Sequence, residues 1–343
     1  MTIRPGAIRF NTDSMKLEIF RGSANYNGSA SMTGIGTLAA GQWEEIVATS
    51  PDVLTGGPRG LFTGGYGSAA SSPKATNKIN YVNIASTGNA QEFGTLSTGG
   101  DQDIVPVGAS RTRGVFRDGN SAPMTFVTFA STGNSVTFGN SGLTANRASG
   151  LSNETRGIHG GSGTSTRNQL EYITIASTGN SVDFGNLATG AHSAGTGASS
   201  TRGIYAGCNT HPTNNGNAIE FITIATLGNA ADFGDLQYDG NSHQTAAASN
   251  STRMFVMDVS VIEFIQIQTL GNATDFGETS SSVSSKGAGC ASPIRALFAG
   301  GEDPAVNIEY IQISTKGNAV DFGDLTYIEN RHGCGMSNAH GGL

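Results

Sequence analysis

The stretch YITIASTGNSVDFG, residues 172–185, holds the pattern that decides the fold of this chain. It begins with an apolar, β-branched run, continues with the pair Gly179-Asn180, and ends with Phe184-Gly185. Gly and Asn tolerate the positive φ that tight hairpin turns require. The stretch therefore predicts two short antiparallel strands joined by a Gly-Asn turn.

The same pattern recurs along the chain, and its period identifies a repeat. Six Gly-Asn pairs occur in this setting, and successive copies are 45, 46, 49, 43 and 46 residues apart; their glycines are Gly88, Gly133, Gly179, Gly228, Gly271 and Gly317. A period in this range is typical of solenoids, propellers and repeat arrays. A Phe-Gly pair follows each Gly-Asn pair, with the aromatic residue at Phe93, Phe138, Phe184, Phe233, Phe276 and Phe322.

Two further strands are predicted upstream of each hairpin. One begins with Arg, continues with apolar residues and usually ends on Gly-Gly or a close relative, and a run of small residues precedes it. Small side chains suit a strand crowded against a central axis, and four strands in such a repeat match a propeller blade. The sequence therefore predicts an all-β fold, a six-bladed β-propeller over residues 51–343. The arginines that begin the apolar strands are Arg59, Arg113, Arg156, Arg202, Arg253 and Arg295.

An acidic residue stands directly before the Phe in five of the six copies, whereas the second copy has Thr137. We expect the six arginines to bridge neighbouring strands or blades through charge-assisted hydrogen bonds, with these acidic residues as candidate partners. The alternative is a solvated Arg at a turn. The acidic residues are Glu92, Asp183, Asp232, Asp275 and Asp321.

The order of strands predicts how the ring closes. The first complete unit begins at Arg59 with a second strand, whereas His332 to Ser337 reads as a first strand. We expect this late strand to pair beside Arg59 to Gly65, which completes the first blade and removes an exposed sheet edge.

The repeats resemble kelch repeats. The resemblance lies in inner strands that begin with His, at His192, His243 and His332, in the apolar strand that closes on Gly-Gly, and in the aromatic residue of the fourth strand. The chain has Phe-Gly where kelch repeats usually have Trp. The three histidines are candidates for an ion site near the axis, or for satisfying backbone groups where their strands begin.

The first 50 residues have a different pattern. Residues 7–13 and 16–20 alternate in polarity and predict a β-hairpin, and a Gly- and Ser-rich linker follows before Trp43. This segment is similar to a short module of tail-fibre and other virion proteins of bacteriophages, including cyanophages, and the repeats resemble propellers of the same marine phage proteins. The resemblance implies attachment to other virion proteins through this segment, oligomerisation as a homotrimer, synthesis in the host cytoplasm and a final location in the virion.

Composition argues against several classes of function. The net charge of −7 is spread thinly and without a basic stripe, so nucleic acid is not an expected partner. An apolar stretch of about 20 residues, as membrane insertion requires, is missing. The three cysteines are widely spaced and read as small buried residues. Asp-Phe-Gly recurs without the other motifs of a kinase. No Ser-His-Asp order, paired-carboxylate motif or metal signature stands out, so we expect neither an enzyme with catalytic residues nor a cofactor or metal site.

The connections between strands predict where a partner binds. Those joining first to second and third to fourth strands are near constant, whereas those on the opposite face vary strongly. Binding residues concentrate on variable loops held by a rigid scaffold. We expect the variable face to carry the binding residues, with Tyr66, His211, Tyr238 and Tyr327 as exposed candidates; local packing of these residues is the alternative.

Three functions remain open on these grounds. The first is a virion protein, a tail fibre or tail-associated propeller, that recognises a host-surface glycan or protein. The second is a purely structural decoration or adaptor of the capsid or tail. The third is a propeller enzyme that cleaves glycans, because such enzymes gather their residues from separate blades.

Overall fold

The computed structural model describes residues 7–11, 16–21, 42–45, 58–64, 77–97, 104–118, 122–143, 148–161, 168–188, 194–207, 216–238, 246–258, 260–279, 287–301, 305–329 and 333–339. The chain divides into two compact units, Met1–Thr55 and Gly56–Leu343.

The first unit contains an antiparallel sheet of three strands in the order β1-β2-β3. The strands are β1 (Ile8–Asn11), β2 (Lys16–Arg21) and β3 (Gln42–Glu45). The predicted hairpin is present as β1 and β2, and β3 adds a third strand that contains Trp43. Arg9 and Glu18 face each other across the hairpin and form an ion pair of 2.7 Å.

The second unit is a β-propeller of six four-stranded blades, which confirms the predicted fold. All elements of its described residues are strands. Blade 1 contains β4 (Arg59–Gly64), β5 (Lys78–Asn83), β6 (Gln91–Thr95) and β27 (Gly333–Ser337), and blade 2 contains β7 (Ile104–Ala109), β8 (Arg113–Asp118), β9 (Pro123–Thr128) and β10 (Val136–Asn140). Blade 3 contains β11 (Ser149–Ser152), β12 (Arg156–Gly160), β13 (Gln169–Thr174) and β14 (Val182–Asn186), and blade 4 contains β15 (Gly195–Ala198), β16 (Arg202–Ala206), β17 (Ala218–Thr223) and β18 (Ala231–Asp235). Blade 5 contains β19 (Ala246–Ser249), β20 (Arg253–Asp258), β21 (Val261–Gln266) and β22 (Thr274–Glu278), and blade 6 contains β23 (Ala288–Ala291), β24 (Arg295–Ala299), β25 (Ala305–Gln312) and β26 (Val320–Glu329).

The inner strands β27, β7, β11, β15, β19 and β23 form a closed ring, because each contacts the inner strands of both neighbouring blades. Blade 1 is closed as predicted: β27 pairs antiparallel with β4, from Gly333 opposite Gly64 to Ser337 opposite Gly60. The side chain of Asn338 also accepts a hydrogen bond of 2.8 Å from Arg59 N. Strand β4 therefore has no free inner edge.

The Gly-Asn pairs do not form the hairpin turns, which corrects the prediction above. In blade 3 the chain reverses at residues 175–177, and the pair lies further along, against the outer strand of blade 2. Gly179 N donates to Phe138 O (2.9 Å), and Asn140 N donates to Oδ1 of Asn180 (3.0 Å). The same two contacts occur at all six boundaries between blades, and we call this arrangement the Gly-Asn clasp.

Each Phe-Gly pair requires Gly at its second position, because the clasp of the next blade lies too close for a Cβ atom. A Cβ atom on Gly139 would collide with Gly179 O, and each of the other five glycines faces the corresponding carbonyl of its neighbour. The preceding Phe is buried and packs edge-on against an aromatic ring of the third strand, as Phe184 does against Tyr172 at 6.2 Å between ring centres. One dipeptide thus serves both the blade core and the boundary between blades.

Each repeat arginine bridges to the next blade, as predicted, through a main-chain carbonyl. Arg202 Nη1 donates to Ile267 O (2.9 Å), and its guanidinium lies 4.6 Å from the ring centre of Phe221 in its own blade. The other five arginines repeat both contacts, including Arg295, which reaches from blade 6 to blade 1. The proposed acidic partners are exposed on the outer strands. The bridge therefore does not use a carboxylate as its acceptor.

Candidate recognition surface

The connections between strands divide the propeller into a constant face and a variable face. On the constant face, seven residues join the third to the fourth strand in every blade, as between Asn83 and Gln91. Three residues join the first to the second strand in each of the five blades where the chain is continuous. On the variable face, the connection between second and third strands ranges from two residues in blade 5 to thirteen in blade 1.

The hydrogen bonds explain why the constant face is constant. Its seven-residue connections carry the Gly-Asn clasps, and its three-residue turns are capped by side chains. Ser199 Oγ accepts from Arg202 N (3.0 Å), and Asn250 Oδ1 accepts from Arg253 N (2.8 Å). A change of length in the seven-residue connection would break contacts between blades, and a change in the three-residue turn would remove its cap. The second-to-third connections, on the variable face, lie outside these clasps and caps, and their length can therefore differ from blade to blade.

The four residues predicted to bind a partner differ in their location and exposure. Tyr238 lies just beyond the outer strand of blade 4, on the variable face, and is 46% exposed. Tyr327 lies within β26 rather than in a loop, and it is half-buried. The strand is longer than its counterparts because β25 and β26 continue their pairing to Ala305 opposite Glu329. Tyr66 and His211 lie outside the described residues.

The axis of the propeller is a channel with a cavity of about 160 Å³. The side chains that line it come from the six inner strands and are mostly Gly, Ala and Ser, none of them charged. Its hydroxyl groups bond to main-chain carbonyls of the neighbouring inner strand: Ser149 to Ala194 O (2.7 Å), Ser152 to Ala109 O (2.9 Å) and Thr196 to Gly150 O (2.7 Å). The predicted role of small residues at the axis is confirmed.

The described residues contain no group of three or more His, Cys, Asp or Glu side chains that could hold a metal ion. His192, His243 and His332, considered above for an ion site, lie outside the described residues. Cys290 and Cys334 are buried as predicted, and burial raises the pKa of the Cys290 thiol. The thiol of Cys290 is therefore protonated at neutral pH and a poor nucleophile. Cys208 lies outside the described residues.

A buried polar group at the boundary between blades 2 and 3 was missed by sequence reasoning. It consists of Arg117 in β8, His159 in β12 and Glu171 in β13, and we call it the 2/3 polar group. Arg117 and His159 are fully buried. The signal that reveals them is departure from the repeat. At the place of His159 the other blades have Phe62, Phe116, Tyr205, Val256 and Phe298, and at the place of Arg117 they have Thr63, Gly160, Ala206, Met257 and Ala299.

Glu171 itself belongs to the repeat, because blades 3 to 6 all have Glu at this place in the third strand. Its Oε2 accepts hydrogen bonds from Ser141 Oγ (2.9 Å) and Gly142 N (3.0 Å) of blade 2, and from Ser181 Oγ. Glu220 and Glu263 accept equivalent main-chain bonds from their preceding blades. This glutamate is a second clasp between blades.

His159 is the exceptional member of the group. Its Nε2 lies 3.9 Å from Glu171 Oε2, too far for a hydrogen bond, and neither ring nitrogen has a hydrogen-bond partner among the described residues. Burial lowers the pKa of His159 well below its usual value, and the positive charge of Arg117 lowers it further. Arg117 Nη1 donates to Leu143 O. The imidazole is therefore neutral at physiological pH.

Two further observations bear on function. Among the described residues, no helix is long and apolar enough to cross a membrane. No family model matches the chain, and no curated protein sequence matches it.

Proposed function

We propose that this protein is a tail-fibre-type recognition protein of a phage virion, and that its propeller binds a host-surface glycan or protein through the variable face. The first unit attaches the propeller to other virion proteins, as the resemblance of residues 1–50 to phage attachment modules suggests.

The contrast between the two faces carries this proposal. Five turns of three residues and six connections of seven residues are held constant by clasps and caps, whereas the second-to-third connections range from two to thirteen residues. A scaffold that needed only to hold its shape would gain nothing from long connections on one face alone, since chain ordering costs free energy. Rigid scaffolds with variable loops are the usual design of recognition proteins.

The chemistry of the variable face suits a polar ligand. Tyr238 presents a half-exposed ring with a hydroxyl, and aromatic side chains of this kind contribute apolar area together with a hydrogen-bonding group. The propeller carries few charged residues, so the contact is expected to depend weakly on salt.

Binding of the full-length protein to intact cyanobacterial cells tests the proposal. The variant shortens residues 66–76 and 208–215, outside the described strands. A matched control changes the constant face instead: Leu227→Thr with Leu270→Thr places at two exposed positions the Thr that blades 1 to 3 have there. We expect saturable binding that the loop variant loses and the control retains.

Two other results would decide against recognition through this face. Equal binding by both variants would move the contact elsewhere on the molecule. Failure of the folded protein to bind any host surface would favour a structural decoration or adaptor of the particle. Release of oligosaccharide from a host glycan would instead indicate the glycan-cleaving enzyme.

A further inference from the structure

The boundary between blades 2 and 3 is packed differently from the other five. At each of the others, the described buried apolar residues form one continuous group of ten or eleven members. At the 2/3 boundary they form two separate groups, one of six around Phe138 and one of three around Leu143. The 2/3 polar group occupies this boundary, and a divided apolar core stabilises it less than a continuous one.

The surroundings of His159 determine what protonation would do there. Strands β7 and β11, which pack against β12, carry no ionisable side chain. Strand β8 contributes Arg117 and, at its other end, Arg113, which is held by the carbonyl of Ala176. Strand β13 contributes Glu171, and its Tyr172 lies beneath Arg156.

The two charges near His159 act in opposite directions. Arg117 disfavours a second positive charge, whereas Glu171 favours it. The Glu171 oxygen nearest the ring already accepts three hydrogen bonds, and it would have to give up one of them to bond an imidazolium. Burial adds the cost of removing the charge from water. A proton on His159 is therefore poorly tolerated while the boundary stays closed.

We propose that the boundary between blades 2 and 3 is an acid-sensitive opening point of the ring, where protonation of His159 releases β12 and β13 from blade 2. This goes beyond the recognition function, since it describes how the propeller responds to its environment. The other boundaries lack the device, because an aromatic or aliphatic side chain stands at the place of His159 in each of the other blades.

The direction of the pH dependence follows from proton linkage. In the open form His159 has the ordinary pKa of about 6.5, and in the closed form its pKa is lower. Below about pH 6.5 the open form binds a proton that the closed form does not. The equilibrium constant for opening therefore rises about tenfold for each unit by which the pH falls. The constant stops rising at the lower pH where His159 is protonated in the closed form as well. Well above pH 6.5, His159 is neutral in both forms, so a change of pH there does not alter opening through this residue.

Hydrogen exchange of the full-length protein, followed by mass spectrometry at pH 7.5 and pH 5.0, tests the proposal. Exchange is corrected for the intrinsic pH dependence of amide rates. We expect peptides from β12 and β13 to lose protection about tenfold or more at pH 5.0. Peptides from β20 and β21, the same strands of blade 5, serve as the internal reference and should change much less.

Three variants assign the effect to the imidazole. His159→Phe introduces the residue of blades 1, 2 and 6 and should remove the acid response. His159→Gln retains polarity but cannot be protonated in this range, and it should do the same even if the larger Phe disturbs packing. Tyr205→Phe changes the same place in blade 4 and should leave the response of β12 and β13 intact. Equal loss of protection in blades 3 and 5 of the unchanged protein, or an acid response that persists in His159→Gln, would overturn the proposal.

Discussion

At the scale of single residues, the repeat arginine is the clearest case of one side chain with two structural tasks. Arg202 donates to a carbonyl of the next blade and covers an aromatic ring of its own blade. Lys cannot substitute fully, because an ammonium group lacks the planar shape that stacks on a ring while it donates sideways. Six copies of this contact join the blades into one ring.

We predict that Arg202→Ala lowers the free energy of unfolding by about 2–3 kcal/mol, from a charged hydrogen bond and a cation–π contact. Asp232→Asn, at the exposed acidic residue before Phe233, should change it by less than about 0.5 kcal/mol. Chemical denaturation measures both. A double variant whose loss departs from the sum would show that the carboxylate takes part in the bridge after all.

Sequence could identify the arginines and phenylalanines because repetition marks them. It could not identify the acceptor of Arg202, because every residue has a carbonyl and Ile267 is 65 residues away. His159 could also have been identified from the sequence, because it is the one residue at its place in the six blades that is not Phe, Tyr or Val. Its effect on the boundary, however, depends on Arg117 from another blade, and that proximity is visible only in the structure.

At the scale of elements, the clasp explains why two dipeptides repeat together. Gly-Asn and Phe-Gly lie close in sequence, which suggested one hairpin, but each pairs across a boundary with the other dipeptide of a neighbouring blade. Sequence predicted the four strands of the blade correctly from their periodicity. It misassigned the turn because local turn chemistry and contact with a neighbouring strand both favour Gly and Asn.

The clasp predicts unequal effects for two alanine substitutions at one boundary. Gly139→Ala places a Cβ against Gly179 O, so the boundary must open, and we expect a loss of about 2 kcal/mol or more. Gly179→Ala meets no atom within 4 Å and should cost much less. Neither glycine has a φ in the left-handed range, so the pair isolates the steric effect. Equal losses of thermal stability in the two variants would contradict the clasp.

At the scale of the whole molecule, stability depends on closure of the ring. The fold class, the number of blades and the closing strand could all be predicted from the sequence, because the repeat fixes each strand's place. The paths of the variable connections could not, since no repeat constrains them. The Gly-Asn clasp and the arginine bridge recur at all six boundaries, so these two contacts join every pair of neighbouring blades.

We predict that deleting residues 330–343, which removes β27, sharply lowers the melting temperature, because β4 loses its whole inner partner. Asn338→Ala keeps the strand and removes one hydrogen bond to Arg59 N, a cost of about 1 kcal/mol. Differential scanning calorimetry compares the two. A deletion variant that melts like the full chain would show that the ring does not need this strand.

The position of the closing strand in the sequence also determines how long β4 stays unpaired during synthesis. Gly333 pairs with Gly64, so the ribosome makes 268 further residues between the end of β4 and the start of β27. At about 5–20 residues per second, β4 waits roughly 15 to 50 seconds with an open edge. An open edge accepts any strand of suitable shape, and the β27 of another nascent chain has the correct one. Crowded polysomes should therefore favour dimers in which two chains exchange their last strands, each completing the other's ring.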